Sequence, residues 1–159
     1  MTDKTNFQKI IEFHKAFGLE YNKKHQEKCF DNTKLIKLRL DLIQEELNEL
    51  KEAIEKRDFT EVRDAIGDIL YVTYGAAASF GINADKDYNI IHKSNMTKLC
   101  KTEKEALETI ESYKKKFVEG TSPYDTPAYK KSEDGVYYIV FNKSSGKILK
   151  SINYTPVSF

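Results

Sequence analysis

The chain has 159 residues, a length suited to one domain that buries roughly 70% of its unfolded surface. Charged residues make up 32% and nearly cancel, at net +1, so composition implies no nucleic acid or other polyelectrolyte partner. Cys29 and Cys100 stand alone without CxxC spacing, indicating neither a disulfide framework nor a zinc site. With no apolar N-terminal run and no stretch of membrane-spanning length, the expectation is a cytoplasmic protein without a membrane partner.

The predicted elements begin with TNFQKIIEFHKAFGLEY. Phe7, Ile10, Ile11, His14 and Phe17 fall at helical spacing that ends near Gly18. His14 sits among apolar neighbours and reads as a packed or capping histidine. The polar stretch from Tyr21 to Asn32 reads as a loop or frayed helix, with Asp31, Asn32 or Thr33 able to cap the next helix.

Two long helices come next. In LIKLRLDLIQEELNELKEAIEK, winding at roughly 100° per residue puts Ile36, Leu40, Ile43, Leu47, Leu50 and Ile54 on one stripe. Leu35, Leu38, Leu42 and Ala53 form a second stripe beside it. Glu46 and Glu49 fall inside this apolar arc, and Glu45 and Glu52 at its margin. In TEVRDAIGDILYVTYGAAASF, Val62, Ile66, Ile69, Leu70, Ala77 and Phe80 take one side. Glu61, Asp64 and Asp68 lie within roughly 60° of one another on the other.

After Asp68 no charge appears until Asp85, so the second helix is expected to lie centrally. Carboxylates on such faces are costly unless a cation or donor meets each one. Oxygen-only ligands favour Mg²⁺ or Mn²⁺. The link Lys56-Arg57-Asp58-Phe59 is short, with Thr60 a candidate N-cap, so the helices are antiparallel neighbours. Glu46 and Glu49 then come level with Asp64 and Asp68. Gly67, Gly75 and Ala76-Ala77-Ala78 allow close approach of another backbone, that of a second subunit included.

A fourth helix, DKDYNIIHKSNMTKLC, carries Asn95, Met96 and Lys98 at its end. A fifth, TEKEALETIESYKKKF, opens on a capping box, Thr102 and Glu105, and its narrow apolar stripe predicts peripheral packing. From Gly120 the character changes, and Pro123, Pro127 and small polar residues mark a loop. VYYIVFNKSSGKILKSINY reads as a β-hairpin around residues 142–146, with Ile148, Lys150, Ile152 and Tyr154 sharing a face of its second strand. The hairpin must lie on the helices or pair with another chain. Lys147 and Lys150 project from it.

These residues resemble the all-α nucleoside triphosphate pyrophosphohydrolase superfamily, which includes MazG, the all-α dimeric dUTPases, dCTP pyrophosphatase and the phosphoribosyl-ATP pyrophosphohydrolases. Its pattern is E-E-x-x-E on one helix and E-x-x-D on the next. Glu45-Glu46-Leu47-Asn48-Glu49 matches the first half. The second is matched either by Glu61-Val62-Arg63-Asp64 or by Asp68-Ile69-Leu70-Tyr71, which is similar to the family's D-L-L-Y but has Ala65 at the glutamate position. A closer resemblance, to a phosphoribosyl-ATP pyrophosphohydrolase-like subgroup, rests on DAIGDILYVTYGAAASFGI, IHKSNMTKLCKTEKEA and GKILKSINYTPVSF.

The resemblance implies a mainly α fold, a four-to-five-helix all-α bundle with a C-terminal β-hairpin. Residues 1–100 would form the core, and 101–159 a peripheral helix and hairpin of the same domain. It implies Mg²⁺ or Mn²⁺ held by Glu46, Glu49, Glu61, Asp64 and Asp68, with Glu45 or Glu46 orienting the attacking water. Asn95, Lys98, Lys147 and Lys150 would contact the nucleotide substrate. The implied reaction cleaves a nucleoside triphosphate to monophosphate and pyrophosphate, in nucleotide-pool house-cleaning, by a homodimer or homotetramer. The competing readings are a nucleotide sensor without hydrolysis and a helical assembly protein. No GxxxxGK[ST] loop or Ser-His or Cys-His nucleophile is evident.

Overall fold

The computed structural model describes residues 3–24 and 27–159. Residues 25 and 26 of the polar stretch, and the first two residues of the N-terminal run, lie outside them. Among the described residues the order is α1 (Asn6–Ala16), a 3-10 turn (Glu27–Asp31), α2 (Thr33–Lys56), α3 (Phe59–Phe80), α4 (Ala84–Met96), α5 (Glu103–Val118), β1 (Pro127–Lys131) and β2 (Tyr138–Asn142). The protein is mainly α, as its periodicity predicts. It divides into two compact units, Met1–Asp87 and Tyr88–Phe159, and the division falls inside α4. No single described helix is long and apolar enough to cross a membrane.

In the first unit each helix start has a side-chain acceptor. Thr5 caps α1 in a full capping box with Gln8, Asn32 accepts from Leu35 N–H, and Asp58 accepts from Thr60 and Glu61 N–H. Asp58, rather than Thr60, is therefore the N-cap of α3. Arg57 closes α2 in the left-handed region at φ 57°, so a two-residue link returns the chain and α3 runs back along α2.

The seam between these helices differs from the predicted stripes. On α2 it comprises Leu35, Ile36, Arg39, Leu42, Ile43, Glu46, Leu50 and Ala53, and on α3 Val62, Ala65, Ile69, Val72, Gly75 and Ser79. Leu40, Ile54, Ile66 and Leu70, expected inside, are exposed. Within its unit α3 packs against both α2 and α1, as its sparse charge predicts, but the three helices do not cover all the apolar surface they carry.

Arg39 is the unexpected member of this seam. It is 7% exposed and forms no ion pair among the described residues. Its Nε donates to Ser79 Oγ (2.8 Å), and Nη2 lies 3.4 Å from His14 Nε2. His14 Nδ1 faces the Glu20 carbonyl at 3.0 Å, which makes Nδ1 the protonated nitrogen and leaves Nε2 to accept. A Cβ on Gly75 would stand 3.4 Å from Arg39 Nη1 and 3.5 Å from His14 Nε2. The space that Gly75 leaves is thus taken by side chains of the same chain, not by another backbone.

The second unit is built on α5, whose Ala106, Thr109 and Ile110 are buried. With Cys100, Val140 and Leu149, Ala106 and Ile110 form a small core ringed by Tyr113, Tyr124, Tyr129 and Tyr138. Both cysteines are free and buried. The two-stranded sheet pairs β1 with β2 antiparallel, Pro127 opposite Asn142 and Lys131 opposite Tyr138. The turn of the β1–β2 pair is therefore 132–137, and the predicted turn at 142–146 also forms, returning the chain antiparallel along β2. The predicted second strand follows β2 briefly, through a bridge from Phe141 to Ile148 and the bonds from Asn142 N–H to the Lys147 carbonyl and from Leu149 N–H to the Val140 carbonyl. It then leaves, because Lys150 N–H bonds the Tyr113 hydroxyl and Ser151 turns inward to Glu105.

Asn142, 2% exposed, ties the second turn together. Its carbonyl oxygen accepts from Thr126 N–H at 2.8 Å, and its amide donates to Ser144, Ser145 and Asp125. The Ser144 hydroxyl, then the Asn142 amide, hold the Asp125 carboxyl down to about 2.

Two measurements check these networks. Burial, aided by the Arg39 charge and opposed by the Glu20 carbonyl, lowers the His14 pKa from 6.5. The unfolded chain therefore binds a proton that the folded chain refuses, and stability falls as pH drops below about 6.5. Denaturant midpoints between pH 7.5 and 5 should decline for the native protein and flatten in His14→Gln. Asn142→Ala should cost about 2 kcal/mol or more in the same assay, because it strips a buried amide from several partners.

Candidate metal and nucleotide site

The acids of α2 and α3 are all in the first unit, and the structure gathers most of them around one side chain. Glu46 occupies a seam position two turns beyond Arg39 and is half-buried. Its Oε2 is sealed from solvent with no hydrogen-bond partner. Burial raises its pKa above the ordinary carboxylate value, and the charges of Glu49, Asp68, Glu45 and Asp64, in that order, raise it further. Five acids thus share one electrostatic neighbourhood.

Glu61 is not among them. It sits in the first turn of α3, where its N–H is capped by Asp58. Glu45, Glu49, Glu61, Asp64 and Asp68 are exposed, which corrects the expectation that their faces are buried. Among the described residues, Glu46, Glu49, Asp64 and Asp68 form no ion pair. Nor does any set of three or more Asp, Glu, His or Cys side chains among them stand close enough, as placed, to hold an ion.

The donor set nevertheless fits a hard divalent cation. Every candidate ligand is a carboxylate oxygen, and the sealed, unpartnered Oε2 of Glu46 is an acceptor without a donor. Such an atom costs about 1–3 kcal/mol or more if left alone. Beside the acid face, Gly67, Leu70, Tyr71 and Tyr74 of α3 and Asn6, Lys9 and Ile10 of α1 bound a small cavity of about 190 Å³.

Asn95, Lys98, Lys147 and Lys150 lie in the second unit. Asn95 is exposed at the end of α4, and Lys98 is half-buried just beyond it. Lys147 and Lys150 are exposed on the tail. The structure connects the two segments through Tyr154. The Lys150 ammonium stands 4.6 Å from the Tyr154 ring centroid, and the Tyr154 hydroxyl shares a 3.0 Å hydrogen bond with buried Ser94. Ser94 also donates to the Thr155 carbonyl (2.8 Å), and Thr155 N–H donates to Thr97 Oγ1 (2.9 Å). The S-N-M-x-K segment and the G-K-x-x-K tail are therefore held against each other within one unit.

Sequence reading missed Arg39 and Tyr154. Arg39 gives a usable signal, since it falls four residues after Leu35 and three before Leu42, on an otherwise apolar stripe. Tyr154 gives none, because its partner is sixty residues away.

The model of the family described as phosphoribosyl-ATP pyrophosphohydrolase matches residues 10–95. That span contains all the acids named above and ends at Asn95, leaving Lys98, Lys147 and Lys150 outside. A protein of Acanthamoeba polyphaga mimivirus, named only as "Uncharacterized protein L479", is 30% identical in an alignment covering 92% of this chain and 91% of its own length. On these grounds the chain belongs to the phosphoribosyl-ATP pyrophosphohydrolase family.

Proposed function

We propose that the protein is a Mg²⁺- or Mn²⁺-dependent pyrophosphohydrolase that converts a nucleoside triphosphate, or a related nucleotide, to its monophosphate and pyrophosphate. The observation that carries this reading is Glu46, a half-sealed carboxylate in the field of four others, with no ion pair among the described residues to offset it. Family membership supports pyrophosphohydrolase-type chemistry in general.

Glu46, Glu49, Asp64 and Asp68 would hold the metal, with Glu61 a more distant candidate from the first turn of α3. When bound, a divalent cation there supplies charge neutralisation at phosphate oxygens. Glu45, exposed beside Glu46, accepts a proton from the attacking water. The water oxygen bonds to the α-phosphorus, the α–β bridging bond breaks, and its electron pair leaves with pyrophosphate. Lys98, Lys147 and Lys150 act as point charges for phosphate, and the Asn95 amide offers a donor and an acceptor to base or sugar. Removal of an unwanted nucleotide from the pool is the role this chemistry suits.

We extend the proposal to a homodimer or a dimer of dimers in the cytoplasm. Leu40, Leu47 and Ile54 recur every seven residues along α2 and are 38–62% exposed, while Phe59, Ile66 and Leu70 on α3 are 47–76% exposed. Apolar rows of this length support association with a second copy through a helix bundle.

Pyrophosphate release from a panel of canonical and modified nucleotides, with and without Mg²⁺, tests the function. At least one nucleotide should be turned over, and EDTA should stop the reaction. Absence of turnover across the panel would overturn the hydrolase reading. Glu49→Gln should lower turnover by at least about 100-fold with the fold retained. Glu46→Gln should likewise abolish turnover, yet raise Tm in EDTA by relieving the repulsion around that carboxyl. Sedimentation at micromolar concentration should show a dimer or larger.

A further inference from the structure

The near-neutral charge of the whole chain conceals a split. Residues 88–159 carry twelve lysines against eight Asp and Glu, a balance of +4, whereas residues 1–87 carry fourteen Lys and Arg against seventeen, a balance of −3. The acids of the second unit are also largely engaged. Glu103 accepts from the Tyr129 hydroxyl, Glu105 from Ser151, Asp125 from Ser144 and Asp134 from Ser132, while Glu108, Glu111 and Glu119 pair with lysines of α5. Lys130 and Lys143 form no ion pair among the described residues.

The strand register puts these two lysines on one face. Val140 and Asn142 are buried, so alternation along β2 sends Ile139, Phe141 and then Lys143 to the opposite side. Ala128 pairs with Phe141 and Lys130 with Ile139, and cross-strand partners share a face. The bridge from Phe141 sets Ile148, 44% exposed, on its other flank. The inner side is occupied, since Ala106 and Ile110 of α5 form the core there with Val140 and Leu149. The outer face therefore has an apolar centre with a lysine at either end, and no carboxylate among its positions. The acids nearest in sequence are Asp125, bound to Ser144 and Asn142, and Glu133 and Asp134 in the 132–137 turn. Lys150 adds nothing here, because its ammonium lies over the Tyr154 ring.

The order along the face is cation, ring, cation. The Lys130 ammonium stands 5.6 Å from the Phe141 ring centroid. Lys143 lies on the other side of Phe141, two residues further along the strand, so the two lysines are spaced about 13 Å apart in the strand direction. A matching partner brings anions separated by a flat ring, which is the repeat of a single-stranded nucleic acid. An acidic peptide supplies the anions without rings between them. A duplex keeps the faces of its bases stacked inside. The side chains of this face other than the two lysines are apolar, so nothing on it reads a base edge and binding tolerates any sequence.

From this we infer that the outer face of the β1–β2 sheet is a docking surface for single-stranded nucleic acid, with a base on Phe141 and phosphates at Lys130 and Lys143. It needs no metal, and it uses neither the acids of α2 and α3 nor the nucleotide contacts proposed at Asn95, Lys98, Lys147 and Lys150.

Fluorescence anisotropy of labelled oligothymidylate and oligouridylate, titrated with the full chain in EDTA, tests the assignment. At least one should bind saturably at low salt. Two neutralised phosphates predict that log affinity falls against log salt with a slope of about −1.4, and Lys130→Ala or Lys143→Ala should each make the slope shallower by about 0.7. Lys104→Ala removes the same charge from α5 and should leave the slope unchanged. Phe141→Leu should weaken binding about fivefold or more at unchanged slope, with Tm measured to confirm folding. The double variant Lys130→Glu, Lys143→Glu changes exposed side chains alone and should abolish binding. A duplex should bind more weakly, and vesicles containing phosphatidylserine should not displace the oligonucleotide. Absence of saturable binding, a slope indifferent to both lysine substitutions, or an equal effect of Lys104→Ala would overturn the surface. Duplex binding of equal strength, or displacement by the vesicles, would overturn it as well by showing a general attraction for anions. Pyrophosphate release in Mg²⁺ is measured apart from all of these, so the two readings fail separately.

Discussion

Glu46 sets one carboxylate oxygen out of reach of water, in a helix seam, with no donor against it and four other acids in its field. A folded chain tolerates such a group only if something offsets it, because an unpartnered buried acceptor and a repulsive field both oppose folding. Arg39, one heptad earlier on the same seam, shows the contrasting solution. Its buried charge is shared among the Ser79 hydroxyl and a neutral His14, with Gly75 leaving room for the guanidinium. The α2–α3 pair therefore has one buried polar group satisfied within the chain and one, Glu46 Oε2, without a hydrogen-bond partner among the described residues.

Much of this was legible in the sequence, and the reasons for the failures are physical. Long apolar periodicity located α2 and α3, and E-E-x-x-E on one helix with Glu61, Asp64 and Asp68 on one side of the next pointed to the acids. Which side of each helix faces inward was less legible, because apolar residues nearly encircle both. With Leu40, Ile54, Ile66 and Leu70 all apolar, the seam is decided by small residues, Ala53, Ala65 and Gly75, that let the helices approach. The excess apolar surface of α2 and α3 is then exposed.

The C-terminal region misled for another reason. The two apolar runs either side of residues 142–146 do run together briefly, through Phe141 and Ile148. The stronger pairing comes from Pro127–Lys131, a segment whose leading proline and flanking polar residues read as loop. Proline is tolerated there because it is the first residue of a strand in a two-stranded sheet. The tail gains more by leaving: Ser151 and Ile152 satisfy Glu105 and Thr109, and Tyr154 reaches Ser94. Side-chain hydrogen bonds of this range leave no periodic trace.

The central claim is that the acids of α2 and α3 form a site for a divalent cation. Titration of Mn²⁺ into the protein, followed by the loss of free-ion paramagnetic resonance signal, measures this most directly. The account predicts saturable binding that Mg²⁺ displaces and Glu46→Gln weakens. Non-saturable uptake, unchanged in Glu46→Gln, would show these carboxylates to be independent surface charges and would contradict it.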